Sequence, residues 1–188
     1  MKKSVNTQAF SAKKISFSAL FCALCCIGTI FIAIPLPNGY FNVGDVFVLL
    51  SGWLLGPIYG AIAAAIGSAL ADVISGYSLY APATFCIKGA EALLAYFLWL
   101  AIKKTLKKEK LDVIARAISA VIGGISMVLG YFLFESLLYG FGGAAVALLG
   151  NLTQAACCVT CACILIAVLY QIQGVKKLFP LLNTPNNS

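Results

Sequence analysis

The chain has 188 residues, of which 62% are hydrophobic and only 10% charged, with no histidine and a formal net charge of +7. That balance excludes an ordinary water-soluble domain, in which roughly a quarter of the residues are charged. It does not point to nucleic acid either, because the cations fall in three short clusters rather than along one face.

Residues 15–34 form the first long apolar run, twenty residues without a charge. That length is near what an α-helix needs to cross roughly 30 Å of hydrocarbon. The run is too long for a signal-peptide core, and Ala33-Ile34-Pro35 offers no small-x-small cleavage site. It reads as a retained helix, ended by Pro35-Leu36-Pro37-Asn38-Gly39. Between Asp45 and Asp72 lie 26 uncharged residues, which hydropathy alone reads as one long span or as two short ones broken at Gly56-Pro57. Charge decides between them. The basic clusters are Lys2, Lys3, Lys13 and Lys14; Lys103 to Arg116; and Lys176 with Lys177. Two passes, over 41–56 and 57–75, put all three on one side, as the positive-inside rule requires.

Further helices are expected over 81–102, 114–139 and 144–172, the last two separated by Gly140-Phe141-Gly142-Gly143. The fold class is therefore an all-α integral membrane protein with six transmembrane helices and both termini cytoplasmic. It divides into a basic N-terminus (1–14), a six-helix transmembrane domain (15–172) and a cytoplasmic tail (173–188). Outer loops fall near 35–44, 76–80 and 140–143. Of the 13 cationic residues, only Lys88 then lies inside the membrane. Helices 2 and 3 are short, which leaves room for tilt or a re-entrant hairpin.

The eight cysteines include two clusters, Cys22, Cys25 and Cys26, and Cys157, Cys158, Cys161 and Cys163. Cys157 and Cys161 share a helix face, but no pair has zinc-finger spacing with a matching second half. Small, weakly polar packing residues are the better reading, with no metal site and no disulfide expected.

Ionisable residues within the membrane carry the sharpest signal, because each is costly to insert near the bilayer centre. Lys88 and Glu91 lie one turn apart on helix 4, and Glu135 lies near the outer end of helix 5. Lys88, Glu135 and Asn151 should sit at matching depths, roughly 6 to 11 Å below the outer surface, from the helical rise. Gln154 shares the face of Asn151, and Tyr131 that of Glu135. Helices 4, 5 and 6 can thus present an outward-opening polar pocket with aromatic walls. The structural alternative is that Lys88 and Glu91 neutralise one another while Glu135 snorkels to the interface. Asp45 and Asp72 lie close enough to water for loop-anchoring roles, and Asn42, Asp45, Asp72 and Tyr77 mark the second place for a pocket. Small residues form two stripes, Ser16, Ala19, Ala23 and Cys26 on helix 1 and Gly60, Ala64, Gly67, Ser68 and Ala71 on helix 3, of the kind that lets helices approach closely in lipid. No P-loop, nucleophile elbow or zinc-protease pair is present, so the chain is read as a non-enzyme without a cofactor.

The segments Gly39-Tyr40-Phe41-Asn42-Val43-Gly44-Asp45, Leu55-Gly56-Pro57-Ile58-Tyr59-Gly60, Gly67-Ser68-Ala69-Leu70-Ala71-Asp72 and Tyr80-Ala81-Pro82-Ala83-Thr84, with Glu135-Ser136-Leu137-Leu138-Tyr139-Gly140 and Gly150-Asn151, resemble the substrate-specificity (S) components of energy-coupling factor (ECF) vitamin transporters. The resemblance covers nearly the whole chain. It implies a six-helix protein of the bacterial cell membrane that captures a vitamin or precursor from outside. Its partners would be a transmembrane T component and two cytoplasmic ATPases. It also implies a pocket built from helices 4 to 6 and the outer loops, giving Lys88, Glu135, Asn151, Gln154, Tyr131, Asn42, Tyr80 and Glu91 as candidate substrate-binding residues. Ala19 and Ala23 match the Ala-x-x-x-Ala face that docks the T component. A cation, a carboxylate and an amide between aromatic walls suit a small, flat, hydroxylated heterocycle, and the relatives it most resembles favour pyridoxine or a hydroxymethylpyrimidine, with riboflavin still open. The competing class is a self-sufficient secondary transporter that uses Glu135 or Glu91 as proton carrier, and a third is a non-transporting scaffold.

Overall fold

A computed structural model describes residues 2–35, 40–106 and 111–182. Lys107, Lys108 and Lys110, residues 36–39 of the expected loop after helix 1 and the last six residues lie outside the described residues. The elements run α1 (Lys2–Phe31), β1 (Ile34–Pro35), β2 (Tyr40–Phe41), α2 (Gly44–Leu55), α3 (Pro57–Ile74), α4 (Ala81–Leu106), α5 (Asp112–Leu169) and α6 (Gln173–Leu178), followed by a 3₁₀ turn, Pro180–Leu182. The two strands form one short antiparallel ribbon, Ile34 opposite Phe41.

Four of these helices, α1, α3, α4 and α5, are long and apolar enough to cross a membrane. Their outward faces carry large apolar side chains: Phe31, Leu133, Leu137 and Leu149 are mostly exposed. Water would not tolerate so much contiguous apolar surface. The all-α membrane architecture therefore stands.

Several boundaries differ from expectation, each for a local reason. Nothing in residues 2–14 breaks a helix, so α1 begins at Lys2. The second helix starts at Gly44 rather than 41, because Asn42 Oδ1 accepts the Gly44 N–H at 2.9 Å, a local turn that competes with helix. The expected four-residue turn after helix 5 contracts to one residue: α5 is broken only at Gly140, whose φ of 73° and ψ of 170° suit glycine. The arms 112–139 and 141–169 fold back on each other, since a Cβ on Gly124 would lie 3.3 Å from Ala155. The described part of the tail packs back on the bundle. Phe179 and Leu182 are buried, Phe179 against Phe17 and Phe21 of α1.

Close packing depends on small residues where helices cross. A Cβ on Gly67 would lie 2.3 Å from the Cys22 carbonyl oxygen of α1, and one on Gly60 2.4 Å from that of Ser51 in α2. The small stripe of α3 is thus interior. That of α1 faces outward at Ser16, Ala19 and Ala23, all exposed.

Candidate functional site

One end of the bundle holds a cavity of about 470 Å³ of empty space including its open mouth, bounded by α1, β2, α3, α4 and both arms of α5. Tyr40 reaches it from the ribbon, Asn42 from the turn before α2, Tyr77 and Tyr80 from the α3–α4 connection, and Thr84 and Lys88 from successive turns of α4. Tyr131 and Glu135 come from one arm of α5, Asn151 and Gln154 from the other.

Beneath the cavity lies a buried polar floor. Lys88 Nζ pairs with Asp45 Oδ1 and lies 3.4 Å from Glu91 Oε2. Gln154 Nε2 donates to Asp45 Oδ2 at 2.7 Å, while Gln154 Oε1 accepts the backbone N–H of Asn42 at 2.9 Å and its side-chain amide at 3.2 Å. The floor joins the α2 N-terminus to α4 and α5 and uses most of the polar capacity of Gln154. Lys88 Nζ also stands 5.3 Å from the centroid of the Tyr131 ring.

The walls are aromatic and acidic. The rings of Tyr40 and Tyr77 lie 4.9 Å apart, and Tyr80 meets Tyr77 and Phe134 edge-on. Tyr131 and Thr84 hydroxyls are 2.9 Å apart. Tyr40 donates to Asp72 Oδ1 at 2.6 Å. Burial, with the Asp72 carboxylate beside it, pushes the Tyr40 phenol well above its usual range, so it stays a donor.

Among the described residues, three buried side-chain oxygens lack a hydrogen-bond partner: Ser68 Oγ, Asp72 Oδ2 and Glu135 Oε2. All three residues line this cavity. An unpaired buried polar atom costs about 1–3 kcal/mol, and these three belong to residues around one cavity.

Seven of the eight residues singled out in the sequence line this cavity: Lys88, Glu135, Asn151, Gln154, Tyr131, Asn42 and Tyr80. Glu91 does not. It points from α4 toward the helix interface, its Cγ 3.7 Å from where a Cβ on Gly123 would stand, and it reaches the site only through Lys88. Asp45 and Asp72 are buried rather than at the water boundary, and Asp72 holds Tyr40 of the ribbon. The two places weighed for a pocket are one place: Asp72 and Tyr77 share the cavity with Glu135. Sequence reasoning missed Thr29, Tyr40, Ser68 and Thr84. Ser68 precedes Asp72, and Thr84 precedes Lys88, by four residues, which puts each pair on one helix face.

Arg116 and Asp112, expected in the cytoplasmic basic cluster, are buried at the other end of the bundle. Arg116 Nε donates to Asp112 Oδ2 at 2.8 Å, and its Nη2 reaches the carbonyl oxygen of Leu181 at 3.1 Å. Trp99 Nε1 donates to Asp112 Oδ1 at 3.0 Å, Tyr170 donates to Asp112 Oδ2, and the guanidinium lies 4.0 Å from the centroid of the Trp99 ring. None of these groups lines the cavity.

Comparison with known proteins agrees with this architecture. The family model described as the ECF-type riboflavin transporter, S component, matches residues 9–171. A protein of Pyrococcus woesei, described as an uncharacterized protein in the gap 3' region, is 39% identical over 131 residues, 69% of this chain and 82% of that one. The match over nearly the whole helical bundle shows that the chain belongs to the S-component family of ECF-type transporters, membrane proteins of vitamin uptake.

Proposed function

We propose that the chain captures a small vitamin or vitamin precursor at the outer face of the bacterial cell membrane and hands it inward with an ECF T component and two cytoplasmic ATPases. The observation that carries this reading is the cavity in which three unpaired buried oxygens converge. Lys88, Glu135, Asn151, Gln154, Tyr131, Asn42 and Tyr80 form the binding site, with Glu91 holding Lys88 from behind. The ligand is a flat heterocycle of pyridoxine or hydroxymethylpyrimidine type. Riboflavin, named in the family description, is the larger alternative.

In this reading the chain crosses the membrane six times, with 1–14 and 173–188 cytoplasmic and 15–172 forming the substrate-binding domain. Supporting it, the cavity lies at the end of the ribbon and Gly140, whereas Lys103, Arg116 and Lys176 gather at the other. A cysteine introduced at Asn38 or Gly142 should react with an impermeant reagent outside intact cells, and one at Lys107 should not. Reactive Lys107 would overturn the topology.

The outward stripe of Ala19 and Ala23 is the docking face for the T component. Ala19→Leu with Ala23→Leu should leave ligand binding intact and abolish uptake, because bulk there blocks close helix approach. Loss of both together would make the stripe internal packing. The central test is thermal melting of the detergent-purified chain against B vitamins and precursors. Ligand at 100 times its dissociation constant adds about 2.7 kcal/mol of apparent stability. Silence across the panel would refute vitamin capture. Uptake by the chain alone, driven by a pH gradient, would replace the ECF partnership with secondary transport.

A further inference from the structure

From the way the floor consumes the only cation that lines the cavity among the described residues, we infer that the ligand is a positively charged, N–H-bearing flat heteroaromatic ring rather than a neutral or anionic vitamin. This rests on the proposed capture function and narrows it. Lys88 would otherwise be the anchor for a carboxylate or phosphate, but its ammonium is held by Asp45 and Glu91 behind the wall. Gln154 is likewise tied to Asn42 and Asp45. Ser68 Oγ, Asp72 Oδ2 and Glu135 Oε2, buried and without a hydrogen-bond partner, belong to residues that line the cavity. Two of these are carboxylate oxygens, which only accept when ionised.

The charge count agrees. Lys88 is one cation against Asp45, Glu91, Asp72 and Glu135 in and directly behind the cavity. An anion would be placed among more acidic than basic side chains in a low-dielectric site, whereas a cation would be matched by them. Tyr40, Tyr77, Tyr80 and Tyr131 line the same space, and aromatic faces attract cations, more strongly when both are desolvated. N–H groups on such a ring would meet Asp72 and Glu135, while the ring itself lies among the tyrosines.

The test is a comparison of dissociation constants on the purified full chain by calorimetry. The probes are thiamine as a permanent aromatic cation, 4-amino-5-hydroxymethyl-2-methylpyrimidine as a ring that protonates on a ring nitrogen, riboflavin as a neutral ring, and nicotinate and biotin as anions. At least one of the first two should bind tenfold or more tighter than every neutral or anionic probe. Glu135→Gln and Asp72→Asn should each weaken that probe at least tenfold. Tightest binding of riboflavin or an anion would overturn the charge assignment yet leave vitamin capture standing. Silence of every vitamin would overturn both. Unchanged binding by folded Glu135→Gln and Asp72→Asn proteins would also overturn it. If either variant fails to fold, the ranking of probes on the unaltered chain decides.

Discussion

Two clusters of buried charge are strung along α4, one at Lys88 and the other around Trp99, roughly 16 Å apart along the axis at about 1.5 Å per residue. The cluster around Asp112 and Arg116 is saturated: each charged group has several partners, and no atom of it is left unpaired. The cluster at Lys88 saturates its floor in the same way, but the wall above it leaves one oxygen each of Asp72 and Glu135 unpaired beside a cavity. Buried charge in a membrane protein therefore does not by itself mark a site. The mark is buried charge that the fold could have paired and did not, beside space for a ligand.

The largest effect expected from breaking the contrast is at the saturated cluster. Arg116→Met strands Asp112 in the interior and releases the Leu181 carbonyl, so stability should fall by about 3–5 kcal/mol, read as a loss of melting temperature in detergent. Ligand affinity of the protein that remains folded should be unchanged. A lowered affinity at full stability would mean that the two ends are not independent.

Next comes the floor. Lys88→Met leaves Asp45 and Glu91 without their cation and should cost stability on the same scale. Adding Asp45→Asn should recover about 1–3 kcal/mol, the coupling expected of groups in direct contact. Lys88→Met with Glu135→Gln should recover none, because Lys88 pairs with Asp45 and Glu91. Recovery with Glu135→Gln would move Glu135 from wall to floor.

A smaller effect, confined to binding, is expected at the wall. Glu135→Gln should weaken the ligand tenfold or more, since a hydrogen bond to a charged group is worth about 1.5–3 kcal/mol. Melting of the unliganded protein should hold or rise, because a buried unpaired oxygen loses its charge. The smallest and sharpest contrast pairs Tyr170→Phe with Ser68→Ala. The first removes a partnered hydroxyl and should cost about 1 kcal/mol of stability, whereas the second removes an unpartnered one and should stay within about 0.5 kcal/mol. Equal losses in the two variants would dissolve the distinction between a paired and an unpaired cluster.

Much of this was legible in the residues themselves. Apolar run lengths and the placement of lysines specify a membrane protein and its helices, because the bilayer sets span length and the translocation bias acts on local charge. The rise per residue is enough to bring Lys88, Glu135 and Asn151 to one depth, and the structure gathers all three at one cavity. Pairing was not legible. Lys88 and Glu91 are neighbours by helical spacing, but Asp45, 43 residues away, reaches Lys88 only because α2 packs against α4. Arg116 lies in a basic stretch that hydropathy assigns to water, yet α2, α4, α5 and the C-terminal turn close around it. Periodicity is a property of one helix and survives in the sequence. Which polar atom meets which, and which three meet none, depends on how separate helices stack, and that is decided only when the small residues at Gly52, Gly60 and Gly67 let their backbones come together.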